Sequence, residues 1–317
     1  MKCFLISKND AEQRLDKFIL KKFPKLPKSL MFKEIRKKNI KINKKRTQPD
    51  YILAEGDLLE LYLKDDTLQE KEVHYDFMSA SKELDIVFED KNILLANKKA
   101  GLLCHPDGKV YTDTLIARIK RYLFENDEWN PNESETFTPA LANRIDRNTS
   151  GIVIAAKNAQ SLRELNRLLK TREIEKYYLT IVHSVPEKAE DTLCAYLIKD
   201  EKKNKVSVFD YEKEGSKKIE THYKVVDYCN ACSLLEIELK TGRTHQIRAQ
   251  MAHIGHPLLN DGKYGKEQGR FRQELCSYKL VFNLKSEGPL EYLNGRAFEL
   301  KDCEIIKKYK EIKENEK

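Results

Sequence analysis

The sequence predicts a protein of two domains, each of which combines α-helices with β-strands. The chain has 317 residues, and at roughly 150 residues per domain two domains are expected. Stretches with helical spacing of apolar residues alternate with stretches that have the two-residue period of strands. We expect a first domain at residues 1–66, a linker at 67–82, a second domain at 83–310 and a charged tail at 311–317.

Composition excludes several classes of protein. Charged residues make up 35% of the chain and hydrophobic residues 40%, which permits a packed core and argues against global disorder. No apolar run approaches the ~20 residues of a membrane helix, and the apolar N-terminal segment is too short for a secretory signal. Seven scattered cysteines are typical of reduced thiols. We therefore expect a cytoplasmic protein that does not bind membranes and is a monomer.

Helical spacing in the first domain predicts one helix that contains Leu15, Phe18 and Ile19. Pro24 and Pro27 follow, and Ser29 is expected to cap a second helix. Alternating residues then predict strands at 39–43 and 58–63.

Positive charge is concentrated in this first domain. The whole chain has a net charge of +8, and residues 1–66 hold 17 basic and 10 acidic residues, a net charge of +7. Residues 21–46 contain 12 basic residues, and their one acidic residue is Glu34. Such a density is typical of a surface that binds a polyanion. A solvated lysine-rich helix surface is the alternative, and charge alone leaves it open.

In the second domain, Asp113 and Asn158 are each expected to cap an amphipathic helix. Strands are predicted at 85–89, 92–97, 152–157 and 233–239.

A polar turn at residues 143–151 precedes one of these strands. It places the carboxylate of Asp146 between Arg144 and Arg147, and Gly151 is free to adopt a positive φ. A surface ion pair of little energetic value and a functional carboxylate are both compatible with this pattern.

A second cluster, at residues 240–248, reads K-T-G-R-T-H-Q-I-R and is followed by two further histidines. The spacing of His245, His253 and His256 matches no known ligand pattern, and no carboxylate is positioned to complete a metal site. We expect no metal, and we expect the histidines to shape the loop by hydrogen bonding. Cys229 and Cys232 also lack two further ligands, so we expect a turn between strands there.

The segments RLDKFILKKFP, KSLMFKEIRKKNIKIN and L-x-x-GD resemble the S4 RNA-binding domain over about 55 residues. The resemblance implies that basic side chains on the helices contact structured RNA. The residues that it suggests are Lys33, Arg36, Lys37 and Lys38.

The segments NRIDRNTSGIVIAAK, EKYYLTIV, LKTGRTHQIRAQMAHIGHPLLNDGKYG and ELCSYKLVF resemble the RluA family of pseudouridine synthases. Together with an S4 domain, they resemble the branch that modifies large-subunit ribosomal RNA. The resemblance covers about residues 10–63 and 84–285, with Asn143 where many members have His and Lys99 where many have Pro. It implies an α+β fold with a mixed, mainly antiparallel sheet flanked by helices.

The resemblance also implies the chemistry, which is the isomerisation of uridine to pseudouridine within RNA. It places the essential aspartate at Asp146 and its cationic partner at Arg248, 102 residues later. Burial alone favours a neutral carboxylic acid, and a neighbouring cation favours the ionised form, so we expect an ion pair. Attack at C1′, attack at C6 and removal of a 2′ proton all remain open as the role of the carboxylate.

Further roles follow from the same resemblance. Tyr178 would pack on the target uracil and act in proton transfer, although a core tyrosine is the alternative reading. Arg144 would fill the space that the base leaves, and phosphate or loop contacts are expected from Arg147, Lys240 and Arg243. The reaction adds no group and oxidises nothing, and the chain has no G-x-x-x-x-G-K-[S/T] or G-x-G-x-x-G motif, so we expect no cofactor.

Two other functions are compatible with these features. One is an RNA-binding assembly factor without catalytic activity, which the joint presence of Asp146, Tyr178 and Arg248 argues against. The other is the same chemistry on transfer RNA. The basic N-terminal domain favours ribosomal RNA as the partner.

Overall fold

The chain folds around two β-sheets, one of four strands and one of eleven. The structure is a computed structural model, and it describes residues 1–317 except 71, 73, 109, 111, 134, 135, 266–271 and 317. Each sheet has its own hydrophobic core. Within these described residues, no helix combines the length and apolar character needed to cross a bilayer.

The N-terminal domain packs two helices against the small antiparallel sheet. Its elements are β1 (Lys2–Leu5), α1 (Leu15–Lys22), α2 (Lys28–Arg36), β2 (Ile40–Ile42), β3 (Lys45–Arg46) and β4 (Leu58–Leu61), with strand order β1-β4-β2-β3. Phe18 and Ile19 of α1 pack with Met31 of α2 and Leu59 of β4, and all four are fully buried. The predicted helices and strands are present, and β1 and β3 are added to them.

The second domain contains the remaining strands and helices. They are β5 (Ile86–Glu89), β6 (Ile93–Lys98), α3 (Leu115–Glu125), β7 (Ala140–Leu141), β8 (Ser150–Ala156), α4 (Ala159–Lys170), β9 (Ile174–His183), β10 (Glu190–Asp200), β11 (Lys205–Phe209), β12 (Lys217–Tyr228), β13 (Cys232–Leu239), α5 (Gln246–His253), β14 (Leu275–Phe282), β15 (Ala297–Glu299) and α6 (Glu304–Glu314).

The strand order of this sheet is β11-β10-β12-β13-β9-β14-β8-β6-β5, with β15 beside β14 and β7 beside β8. The β8–β14 pair is parallel, and the other pairs are antiparallel. The predicted mixed, mainly antiparallel sheet flanked by helices is confirmed.

The central strands are apolar on both faces because helices cover both faces. Leu94 and Val153 pack on one face with Ile119 of α3. Leu95 and Ile154 pack on the opposite face with Leu165 and Leu168 of α4. Successive residues of a strand point to opposite faces, so a sheet covered on both sides requires the continuous apolar runs of β6 and β8.

One of the three predicted helix caps is correct. Ser29 lies inside α2, whose N-cap residue is Pro27. The Asn158 side chain accepts a hydrogen bond from the Ser161 amide at 2.8 Å and begins α4. Asp113 does not cap α3, because its carboxylate instead takes a two-point contact from the Arg118 guanidinium at 2.8 Å each. Such charge-assisted pairs are stronger than a neutral contact, and Thr114 is the N-cap residue.

The predicted linker, 67–82, is shared between the two cores. Leu68 is buried in the N-terminal core, whereas Phe77 and Ala80 are buried against α3 and the large sheet. A short 3-10 helix, Asp76–Ser79, holds these last side chains in place. The apolar residues at 77 and 80 therefore anchor the end of the connection to the second domain.

The C-terminal tail, predicted at 311–317, contacts the turn between β12 and β13. Lys313 donates to Asp227 at 2.7 Å, and the Glu316 carboxylate accepts the amides of Asn230 and Ala231 at 2.9 and 3.1 Å. This turn contains Cys229-x-x-Cys232 and joins two strands as predicted. Residues 311–314 form the last turn of α6, so the boundary predicted at residue 310 falls inside that helix.

Polar contacts join the two domains. The Asp10 carboxylate accepts the amide and hydroxyl of Thr136 at 3.1 and 2.6 Å. Asn9 accepts the amide of Ala159, the first residue of α4, at 3.2 Å. The N-terminal domain therefore rests on the start of α4 through hydrogen bonds rather than a large apolar interface.

Candidate active site

The predicted catalytic residues meet in one cavity of about 180 Å³ at the middle of the large sheet. The segment before β8 and the segment before α5 form two of its walls, and β9 and β14 supply Tyr178 and Leu275. The lining residues are Arg144, Ile145, Asp146, Thr149, Tyr178, Leu239, Gly242, Arg243, Thr244, His245, Gln246, Ile247, Arg248 and Leu275. The cavity brings together parts of the chain that are far apart in sequence.

Asp146 is held at the start of β8 by a tight turn. Its carbonyl accepts the Thr149 amide at 3.1 Å, and Gly151 has a φ of +114°, as predicted. A Cβ at position 151 would lie within 2.7 Å of the backbone of Ser277 on β14. Only glycine permits this close approach, which places the turn against the parallel neighbour of β8.

The predicted ion pair between Asp146 and Arg248 is present. Nη1 of Arg248 donates to Oδ2 of Asp146 at 3.0 Å. The Arg248 side chain is 9% exposed, and that of Asp146 is 26% exposed. The guanidinium is thus removed from solvent, while the carboxylate remains accessible from the cavity.

Asp261 was not predicted to have a role, and it holds the other side of the same guanidinium. It accepts Nε and Nη2 of Arg248 at 2.7 and 2.8 Å. The amides of Lys263 and Tyr264 donate to it at 2.9 and 3.1 Å. The Asp261 side chain is fully buried, so these contacts replace its lost hydration.

The carboxylates of Asp146 and Asp261 stabilise the charged form of Arg248. Burial opposes the charged guanidinium, but the hydrogen bonds that it donates to Asp261, together with the charges of Asp261 and Asp146, raise the pKa of Arg248. The same guanidinium overcomes the effect of burial and lowers the pKa of Asp261. Arg248 therefore has its orientation set by Asp261 and presents its remaining amino group, Nη1, to Asp146.

His245 precedes α5 in a left-handed conformation, with φ of 53°. Burial lowers the pKa of His245 to about 4, so the ring is neutral at pH 7. Its Nδ1 lies 2.8 Å from the Tyr264 hydroxyl, and its Nε2 lies 3.9 Å from Oδ2 of Asp146. The prediction that this histidine shapes the loop by hydrogen bonding is confirmed.

The other two histidines of the motif lie outside the cavity lining. His253 contacts Asp210 at 2.8 Å, and His256 contacts Ser184 at 2.9 Å. In the described part of the chain, no group of three or more His, Cys, Asp or Glu side chains could hold a metal ion.

Tyr178 lies on β9 between Ile237 of β13 and Ser277 of β14, and it is 5% exposed. Burial raises the pKa of Tyr178, so its phenol keeps its proton at neutral pH. Tyr177 points to the opposite face and donates to Glu175 at 2.9 Å, as expected from strand alternation. Of the two tyrosines, Tyr178 is the one that reaches the cavity.

Two of the four predicted RNA-contacting residues of the second domain line the cavity, and the other two lie outside it. Arg144 and Arg243 are exposed and line the cavity. Arg147 is also exposed, but its Nε donates to the Gly101 carbonyl at 3.0 Å, outside the cavity lining. Lys240 forms an ion pair with Glu238 and also lies outside the lining.

The predicted RNA-contacting residues of the N-terminal domain lie at the C-terminal end of α2 and just after it. Lys33, Arg36, Lys37 and Lys38 are all exposed. Lys37 lies 3.7 Å from the Glu34 carboxylate. These four residues form a basic surface that is separate from the cavity lining.

Lys98 also had no predicted role, and it supports the loop that carries Asp146. It is fully buried and donates to the carbonyls of Lys99, Leu102 and Arg147 at 3.1, 2.8 and 2.9 Å. Burial lowers the pKa of Lys98 to about 8. The signal by which it could have been found is a lysine at the end of a buried strand, two residues after the apolar run at 93–96.

Comparisons with known proteins agree with this geometry. The family described as RNA pseudouridylate synthase matches residues 92–253, and the S4 domain matches residues 13–59. A human protein, RNA Pseudouridylate Synthase Domain Containing 4, has a similar fold, with a TM-score of 0.54 and 19% identity. That similarity covers 68% of this chain and 88% of the human chain.

Bacterial relatives are similar over most of the sequence. An uncharacterized RNA pseudouridine synthase of Mycoplasma capricolum is 33% identical over 93% of this chain and 95% of the relative. A ribosomal large subunit pseudouridine synthase C of Buchnera aphidicola is 33% identical over 82% of this chain and 80% of the relative. With these matches and with the cavity at the matched motifs, the chain belongs to the RNA pseudouridylate synthase family and has an S4 domain at its N-terminus.

Proposed function

We propose that this pseudouridine synthase isomerises uridine in large-subunit ribosomal RNA, with Asp146 as the catalytic carboxylate and without a cofactor. The main support is the Asp146 carboxylate, which faces the cavity with the buried Arg248 guanidinium 3.0 Å away. Ribosomal RNA is supported by the S4 domain and by relatives named ribosomal large subunit pseudouridine synthase C.

The isomerisation conserves all atoms and electrons of the nucleotide. The N1–C1′ bond breaks, a C5–C1′ bond forms, the proton on C5 leaves, and N1 ends with a proton. Because nothing is oxidised and no group is added, the protein must supply only a reacting carboxylate, proton transfer and a place for the base to turn.

Asp146 has the surroundings that this chemistry requires. Attack at C1′, attack at C6 and removal of a 2′ proton all need an unprotonated carboxylate. Arg248 supplies a permanent positive charge, and Asp261 fixes its orientation. The partial exposure of Asp146 leaves the carboxylate free to reach the ribose or the base.

The other lining residues suit an everted uridine. Removing a base from its stack costs a few kcal/mol, and Arg144 at the cavity entrance can occupy the space that the base leaves. The ring of Tyr178 offers a face for the uracil, and its protonated phenol can take part in proton transfer. Arg243 can contact the neighbouring phosphate.

The test is the change Asp146→Asn, assayed on an unmodified transcript of bacterial large-subunit ribosomal RNA. We expect pseudouridine formation, mapped by chemical probing, to fall by about 10⁴-fold or more while RNA binding is retained. Asp302→Asn is the matched control, because that side chain is 85% exposed, and it should keep the wild-type rate.

Each remaining outcome would contradict part of the proposal. Modification of transfer RNA but not of ribosomal RNA would make the proposed substrate wrong. RNA binding by the wild-type protein without pseudouridine in either RNA would favour a binding protein. A fully active Asp146→Asn variant would remove the aspartate from the mechanism.

A further inference from the structure

A second cavity, of about 460 Å³, lies between the S4 domain and the synthase domain. We call it the interdomain groove. Its walls are the N-terminal part of the S4 domain with α1, the segment 136–138, and the first turns of α4. None of its lining residues belongs to the active-site cavity.

Contacts from both domains fix the shape of the interdomain groove. Asp10 and Gln13 hydrogen-bond to Thr136, with Gln13 donating at 2.9 Å. Asn9 binds the first amide of α4, and Glu12 accepts Nη2 of Arg163 at 2.7 Å. The two walls therefore keep a defined spacing, which a flexible surface lysine cluster does not have.

The charged residues in the lining of the groove are mainly cations. It contains Arg14, Lys17, Lys21 and Arg163, against one carboxylate, that of Glu12. Arg14 is neutralised by Asp16 at 2.8 Å, as Arg163 is by Glu12. Among the residues that the structure describes, Lys17 and Lys21 form no ion pair, and Lys21 donates only to the Gln13 side chain, at 3.5 Å. The groove therefore keeps two positive charges that no carboxylate contacts directly.

These two lysines lie on the same side of α1, one turn apart. Like charges four residues apart destabilise a helix. Burial lowers the pKa of Lys21, Asp10 acts in the opposite direction, and the charges of Lys17 and Arg163 lower it further. The cations of the two domains are thus close enough to repel one another, and a bound anion would relieve this repulsion.

We propose that the interdomain groove binds the phosphate backbone of the RNA substrate, with Lys17 and Lys21 on one side and Arg163 on the other. The two lysines are four residues, or about 6 Å, apart along α1, so both can contact one strand. The site differs from the basic surface at the end of α2. The inference rests on the proposed RNA substrate and adds where its backbone passes between the domains.

The test compares charge variants of the full chain by fluorescence anisotropy, with a labelled large-subunit ribosomal RNA transcript at several salt concentrations. The double variant Lys17→Gln/Lys21→Gln should bind roughly tenfold more weakly, and its salt-dependence slope should fall by about two. The matched control is Lys301→Gln/Lys310→Gln, two exposed lysines outside the groove, and it should bind as the wild type does.

A pair of variants separates groove charge from domain docking. Arg163→Gln and Glu12→Gln both break the same ion pair, but the first removes a positive charge from the groove and the second removes its negative charge. We expect Arg163→Gln to weaken RNA binding and Glu12→Gln to leave it equal or tighter. Equal weakening by both variants would overturn the proposal in favour of a purely structural ion pair.

Two other results would also overturn it. One is wild-type affinity and salt slope in the Lys17→Gln/Lys21→Gln variant, with thermal unfolding showing that it is folded. The other is equal weakening by the Lys301→Gln/Lys310→Gln control. These readouts measure binding alone, so they remain distinct from a failure of the wild type to form pseudouridine, which would refute the proposed function instead.

Discussion

Asp261→Asn is the change that most directly tests the architecture of the site. It preserves size and shape but removes one of the two negative charges around Arg248. An asparagine would also place an NH₂ group, a donor, against a guanidinium that can only donate. The four hydrogen bonds at Asp261, at 2.7 to 3.1 Å, therefore cannot all be kept.

The expected magnitude follows from the burial of both partners. Arg248 is 8% exposed and Asp261 fully buried, and breaking a buried ion pair by removing one partner costs about 3–5 kcal/mol. For a domain of this size the unfolding temperature shifts about 2–4 °C per kcal/mol, so it should fall by about 6–20 °C. Because Arg248 also loses its fixed orientation, pseudouridine formation should fall by about 10²-fold or more at a temperature where the variant is folded.

The assay combines thermal unfolding with single-turnover pseudouridine formation on a ribosomal RNA transcript. The double variant Arg248→Met/Asp261→Asn provides the comparison, because it removes the buried cation that the single change leaves poorly paired. We expect the double variant to be more stable than the sum of the two single changes predicts. Its activity should stay low, because Asp146 then lacks a guanidinium.

An Asp261→Asn protein with wild-type unfolding temperature and wild-type rate would refute this reasoning. Additive stability losses in the double variant would also count against it, since they would mean that Asp261 and Arg248 contribute independently.

Three further predictions concern other parts of the site. The pKa of His245 is about 4 in the folded protein against 6.5 ordinarily, so its stabilising contribution is complete above pH 6.5 and is lost as the pH falls through 4. In urea unfolding, the wild-type protein should lose free energy of unfolding over this range, by roughly 1.4 kcal/mol per pH unit at most, and the His245→Gln variant should lack this loss. Parallel pH profiles of the two proteins would contradict the prediction. The Gly151→Ala variant should lose more than about 2 kcal/mol of unfolding free energy in the same assay, because residue 151 has a positive φ and the added Cβ would lie within 2.7 Å of the Ser277 backbone. Wild-type stability of this variant would argue against the close packing. Tyr178→Phe should slow pseudouridine formation by about 10²-fold with little change in RNA affinity, whereas an unchanged rate would leave the tyrosine a packing role only.

Helices and strands were predicted correctly where interactions within a few residues determine them. α4 combines a side-chain cap at Asn158 with apolar residues at helical spacing, and both features act within a few residues. β6 and β8 are continuous apolar runs, which identify strands covered on both faces. Asp113 shows the limit of such reasoning, because contact with Arg118 decided its role.

No bounds were predicted for β10, β11 and β12, although the turn predicted at Cys229 and Cys232 implies the strand β12 before it. In β12 the buried residues Ile219, Thr221 and Tyr223 alternate with Glu220 and His222, but Thr221 is itself polar, so the apolar period of a strand is incomplete. These strands extend the large sheet beyond β13: β12 forms a hairpin with β13, β10 forms a hairpin with β11, and β10 also pairs with β12.

By itself the sequence determined helices α1 to α4, the strands β6, β8 and β13, the concentration of positive charge in the first domain, and the turn that carries Asp146. These depend on short-range periodicity, composition and a glycine. The pairing of Asp146 with Arg248 was predicted only through resemblance to a family, since the two are 102 residues apart. Three features were decided by tertiary structure alone. Asp261 orients Arg248, Lys98 donates hydrogen bonds to the loop that carries Asp146, and cations of both domains line the interdomain groove. Each of these depends on desolvation and on distances that exist only after the large sheet has formed.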